Sequence, residues 1–200
     1  MPDSANSEME ELRKRAVHLE CFTVAWMVIE AAVALAAGAM ASSIALVGFG
    51  LDSIAELVAA LALLWRFQQR GFKEFHAEIR AAKVVGLTFF ALAAYVGYEG
   101  LSGLWFRRIP EFSLPGTVLA VAALIVMPSL GVAKRRVASL LNSKALAAES
   151  METLFCAYLS AILLLGLGLN GWLGWWWADP GAALVMAVLM VREGAEAFFG

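Results

Sequence analysis

Asp52 and Glu56 stand four residues apart in an otherwise apolar stretch, and Glu149, Glu152, Cys156 and Ser160 follow at spacings of three, four and four. On an α-helix, residues three or four apart share one face. Two helices would therefore each carry a polar stripe of carboxylates, the second with a thiol, and neither stripe has an obvious cation inside its own span. Ionisable groups within a membrane span are expensive and point to function. At 1.5 Å per residue, Asp52 lies about 12 Å and Glu56 about 18 Å from one end of its helix; on a helix running the other way, Glu152 lies about 9 Å and Cys156 about 15 Å from the opposite end. In a hydrocarbon core about 30 Å thick, both pairs fall near the middle. If the two helices pack, Asp52, Glu56, Glu152 and Cys156 converge as four anionic ligands. That set suits a divalent cation. Tetrahedral Zn²⁺ takes carboxylate oxygen and cysteine sulfur; Mn²⁺ or Fe²⁺ also accept the carboxylates, while the thiolate favours softer ions. The alternative is that each acid is protonated and hydrogen-bonded to a neighbouring helix.

The composition requires a membrane to hold these stripes. The chain has 200 residues, 62% hydrophobic and 16% charged, against about a quarter charged in soluble domains. The apolar positions suffice for roughly six spans of about 20 residues. A net charge of −2 and two cysteines exclude a basic nucleic-acid binder and a disulfide framework. Apolar runs at about 21–41, 44–66, 84–106, 115–133, 146–169 and 180–198 predict an all-α membrane protein of six transmembrane helices after an N-terminal tail, 1–20. The polar tail and the length of the first run argue against a cleavable signal peptide. Ala41–Ser43 reads as a tight hairpin, and Pro110 and Pro115 punctuate the third connection.

Basic residues set the orientation. Arg13, Lys14 and Arg15, then Arg66, Arg70, Lys73, Arg80 and Lys83, then Lys134, Arg135, Arg136 and Lys144, and finally Arg192 fall on one side; Arg107 and Arg108 fall on the other. Thirteen against two predicts cytoplasmic N- and C-termini. Residues 67–83 read as an amphipathic extension of the second helix. The membrane itself is left open between a cell (inner) membrane and an organelle membrane.

Ser42-Ser43-Ile44-Ala45-Leu46-Val47-Gly48-Phe49-Gly50-Leu51-Asp52-Ser53-Ile54-Ala55-Glu56 resembles the second span of the cation diffusion facilitators, where a polar start precedes a D-S-x-x-[DE]-like metal pair. Ser143 to Glu152 is similar to that family's fifth-span pattern S-x-A-L-x-A-D-x-x-H-x-x-x-D, and Trp177-Ala178-Asp179-Pro180 to the start of its sixth span. The resemblance covers most of the chain. It implies a six-helix exporter, usually a homodimer, exchanging a divalent cation for protons. It places Asp52 and Glu56 on ligand positions, Glu152 where the family usually has His or Asp, Cys156 where it usually has Asp, and Glu149 on the acid preceding that pair. The chain looks most like the short subgroup of zinc-efflux proteins without a cytoplasmic C-terminal domain.

Other residues carry weaker expectations. Glu30, about 15 Å into the first span, and Glu149 are candidate proton-coupling groups, and Glu99 could line an exit. Glu74, His76 and Glu78 read better as a solvated face than as a loop metal site, and His18 as interfacial. Asp179-Pro180 reads as an N-cap followed by proline at the first helical position. Trp172, Trp175, Trp176 and Trp177 read as an aromatic belt, and Gly166 and Gly168 as points of close helix approach. The combined reading is proton-coupled divalent cation efflux, zinc foremost, by alternating access. Its rivals are a metal sensor without net transport and a small organic-cation exporter built on Glu30. With no histidine inside a span and no nucleophile–base pair, an enzyme is not expected.

Overall fold

The computed structural model describes the backbone of residues 2–68 and 74–199 and the side chains of 9–61, 64, 86–143, 146–196 and 198. Among the described residues all regular secondary structure is helical: α1 Pro2–Ala41, α2 Ile44–Gln68, α3 Glu74–Trp105, α4 Leu114–Leu141, α5 Lys144–Leu173 and α6 Ala178–Phe199. Five of the six predicted runs fall inside these helices, and the third overruns the end of α3 by one residue, Phe106. The stretch 67–83 does not extend α2 alone, because α2 ends at Gln68 and 74–83 opens α3. The side chains of Glu74, His76 and Glu78 lie outside the described residues.

Five helices, α1 to α5, are long and apolar enough to span a bilayer. In α6, Asp179 near the start and Arg192, Glu193 and Glu196 near the end leave no comparably uncharged stretch of 18 residues. The outer surface is apolar: Leu101, Tyr98, Val118, Ile125, Leu165 and Val188 are all at least 60% exposed. Such a surface is stable only against lipid, and helices are the form whose backbone bonds are satisfied there. The chain is a multi-pass integral membrane protein.

Two hairpins share one construction. In Ala41-Ser42-Ser43-Ile44 and in Leu141-Asn142-Ser143-Lys144, the residue after the helix takes a left-handed conformation, with φ 53° at Ser42 and 51° at Asn142. The following serine amide donates back to Gly38 O or Ala138 O, each at 3.0 Å. That serine then caps the next helix, its Oγ accepting from Leu46 N at 3.1 Å or Leu146 N at 3.3 Å. These turns make α1–α2 and α4–α5 antiparallel pairs. The third extensive pair is α3 with α6; α2 lies among α1, α3, α5 and α6.

Asp179 is not the N-cap of its own helix: α6 begins at Ala178, so Asp179 and Pro180 already lie inside its first turn. It is fully buried, and its carboxylate accepts from Ser43 Oγ, from Ile44 N at 2.9 Å and from Ala45 N at 3.4 Å. It therefore caps α2 from α6, satisfying amides that an isolated helix start leaves unpaired. Of the two glycines expected at helix contacts, Gly166 is one: a Cβ there would come within 2.7 Å of Ala182 Cβ on α6. Gly168 is not, since nothing lies within 4 Å. Trp172 is 89% exposed and Trp175 stacks on Trp177 at 5.2 Å, in keeping with an interfacial belt.

Candidate metal centre

The buried face of α2 runs through Leu46, Phe49, Asp52, Ser53, Glu56 and Ala60, and that of α5 through Leu146, Ser150, Thr153, Cys156, Leu159 and Leu163. Steps of three and four keep each set on one stripe. Because α2 packs against α5, the two stripes meet. The ligand-capable atoms of Asp52, Glu56 and Cys156 all lie within 4.8 Å of one another, and all three side chains are buried. Zn–O near 2.1 Å and Zn–S near 2.3 Å imply ligand separations of about 3.4 to 3.8 Å around a tetrahedral ion. Separations under 4.8 Å put the three donors within reach of a single ion.

Asp52 supplies the most telling feature. It is fully buried, and neither carboxylate oxygen has a hydrogen-bond partner among the described residues. A buried carboxylate left bare costs free energy that an ordinary fold would offset with a donor. A cation is the chemical species that matches this oxygen pair.

Glu30 reaches the same place from α1. It is fully buried; Trp26 Nε1 donates to its Oε2 at 2.6 Å, Ser53 Oγ to its Oε1 at 2.7 Å, and the Cys156 thiol to Oε1 at 3.6 Å. The Trp26–Glu30 spacing is i,i+4 and Ser53 adjoins Asp52, so both partners lay in plain view in the sequence. Glu152 stands apart from the three-residue group. It is half-buried one turn before Cys156 and lines a cleft of about 720 Å³ between α5 and α6 with Arg192, Glu193 and Glu196. Ser160 is occupied by its own helix, donating to Cys156 O at 2.8 Å. Glu99 accepts from Arg108 Nη1 at 2.8 Å, an ion pair at the bundle end far along α3 from the site.

Glu149 does not face the cluster's ligands without a cation. Lys134 reaches it from α4 at 2.5 and 2.6 Å. The hydropathy reading puts Lys134 in a loop just past a span ending at 133, but α4 continues to Leu141 and the lysine is fully buried. Without it the sequence count is still twelve basic residues against two. Glu20, placed by sequence in the tail, is likewise buried and lies 3.3 Å from Lys134 Nζ. The unmatched Glu149 was the one sign in the sequence that such a partner existed.

The family model described as the cation efflux transmembrane domain matches residues 22–199. The chain belongs to the cation efflux family. Among its relatives, transmembrane protein 163 of Xenopus laevis is 22% identical over 195 residues, covering 94% of this chain and 68% of its own. An uncharacterized transporter of Synechocystis is 27% identical over 158 residues, 75% of this chain and 51% of that protein. A cadmium, cobalt and zinc/H(+)-K(+) antiporter of Bacillus velezensis is 29% identical over 157 residues, 72% of this chain and 47% of that protein. The chain spans about half the length of the latter two. The matched segment of this cation efflux protein contains Glu30, Asp52, Glu56, Glu149, Glu152 and Cys156.

Proposed function

We propose that this protein carries a divalent metal cation across the membrane, with zinc the preferred ion. The observation that carries this reading is the buried Asp52 carboxylate, bare of hydrogen bonds and within 4.8 Å of the Glu56 and Cys156 donor atoms. Asp52, Glu56 and Cys156 hold the ion. Glu152 is the fourth ligand, drawn in from its cleft when the ion is bound. The thiolate favours zinc or cadmium over manganese, and a relative named for cadmium, cobalt and zinc supports the same class of cargo.

Metal binding to such ligands releases protons, because only the deprotonated carboxylates and thiolate coordinate. Glu30, already the acceptor of the Cys156 thiol hydrogen, is the group through which that proton leaves. Opposite movement of metal and protons follows if the site opens alternately to either side. The excess of basic residues in the N-tail and the even-numbered connections supports cytoplasmic termini, and with that orientation the movement is an efflux. The protein works as a homodimer, as the family resemblance implies.

Zinc flux into proteoliposomes under an imposed pH gradient tests the reading, with wild type against Asp52→Ala and manganese in parallel. Gradient-driven zinc flux that Asp52→Ala abolishes is the expected result. Metal bound saturably without flux would replace the transporter with a sensor.

A further inference from the structure

Lys134 is the largest buried charged side chain of the described residues, and its surroundings are those of a bound ion. Its ammonium has three N–H bonds but four oxygen neighbours: Glu149 Oε1 at 2.5 Å, Glu149 Oε2 at 2.6 Å, Thr153 Oγ1 at 3.2 Å and Glu20 Oε2 at 3.3 Å. Both oxygens of one carboxylate lie almost equally close, so the nitrogen is centred on the charge and not directed along one bond. Glu20, Lys134 and Thr153 are 1% exposed or less and Glu149 is 7% exposed. The three elements that contribute, α1, α4 and α5, meet otherwise through apolar side chains such as Ala16, Val137, Ala138 and Leu146. One further oxygen, Glu20 Oε1, is buried and has no partner among the described residues.

The geometry points to a second cation site, formed by Glu20, Glu149 and Thr153 and filled by the chain's own Lys134 ammonium in place of a free monovalent cation of ammonium size. Two carboxylates and a hydroxyl on three helices form the shell. The occupant is fixed by four methylene groups to α4, so it neutralises the pocket without exchanging with solution. This leaves Asp52, Glu56 and Cys156 as the exchangeable cluster and binds α1 to α5 about two helical turns from it, since Glu149 precedes Cys156 by seven residues. A buried ion pair of this kind is a poor source of net stability, but removing one partner leaves an uncompensated charge and is strongly destabilising.

The pocket must then accept an external ammonium once the tether is cut. The test is thermal unfolding of the full-length chain in detergent, as wild type, Lys134→Ala and Lys134→Ala/Glu149→Gln, in ethylammonium chloride and in choline chloride at equal ionic strength. Choline is too bulky for the vacated volume. Lys134→Ala should melt several degrees below wild type and regain several degrees between about 1 and about 100 mM ethylammonium, as mass action requires of a ligand that binds only the folded state. Choline should restore nothing, and Glu149→Gln in the same background should abolish the ethylammonium effect. Equal melting in the two salts would overturn the proposal. If Lys134→Ala yields no folded protein, Lys134→Met, which fills the space without charge, is compared with Lys134→Met/Glu149→Gln by monodisperse yield and melting. The double variant should be the more stable; equal or lower stability overturns the site as surely.

Discussion

The Cys156 thiol on α5 donates to Glu30 Oε1 on α1 across 3.6 Å, beside an Asp52 carboxylate that accepts from no group described. One acid at this level is fully engaged and its neighbour is bare. That contrast separates a group built into the fold from one held open for a ligand.

Asp52→Asn should therefore affect binding and not folding. No hydrogen bond is lost, and a buried charge is removed, so melting temperature should hold or rise. Zinc affinity of the purified protein, read by competition with a chromogenic chelator, should fall at least about tenfold, by loss of a charged ligand. A large fall in melting temperature with unchanged affinity would mark Asp52 as structural.

Cys156→Asp should shift selectivity. An oxygen donor in place of sulfur favours harder ions, so the ratio of cadmium to manganese affinity should drop by about tenfold or more while the fold is retained. Paired titrations of wild type and variant read this ratio directly.

Binding should weaken as pH falls. Protons and metal compete for the same oxygens and sulfur, and acid fills the ligands with protons. Zinc titrations at a series of pH values should show apparent affinity declining toward acid, with a shallower decline in Cys156→Ser because one competing proton is gone. Identical slopes would remove the thiolate from the ligand set.

Asp179→Ala should cost about 1 to 3 kcal/mol, the range for losing a helix cap and leaving buried donors unpaired. The donors stranded are Ser43 Oγ and the amides of Ile44 and Ala45. Denaturant unfolding should show this loss, with zinc affinity in the remaining folded fraction changed little.

Gly166→Leu and Gly168→Ala should part company. The first forces side-chain atoms into Ala182 at the α5–α6 contact and should cost about 1 to 3 kcal/mol by overpacking. The second meets open space and should gain a few tenths to about 1 kcal/mol through helix propensity. Thermal unfolding of both variants decides this.

The linear order of residues already specified the helices and the membrane, because apolar run length and charge asymmetry are local quantities set by the hydrocarbon thickness and the cost of burying charge. It also determined that Asp52, Glu56 and Cys156 could meet, since helical rise fixes depth along each span. The hairpin at Ala41–Ser43 was legible because capping is a contact within a few residues; its counterpart at Asn142-Ser143 emerges from the structure. Which groups face which across helices emerges only once the helices pack. Lys134 lies one residue beyond a span judged by hydropathy, yet the neighbouring Glu20 and Glu149 draw it inward, an attraction that no window along one helix contains. Asp179 sits next to a proline and reads as a local cap, but its carboxylate reaches amides 135 and 134 residues away. Glu152 shares a helix face with Cys156 in sequence, and the packing of α6 against α5 leaves it in a cleft instead of among the clustered donors. Periodicity gives each side chain an angle about its own helix axis; the rotation of one helix against the next is set by packing of small residues such as Gly166 against Ala182, and it is that rotation which selects the neighbours.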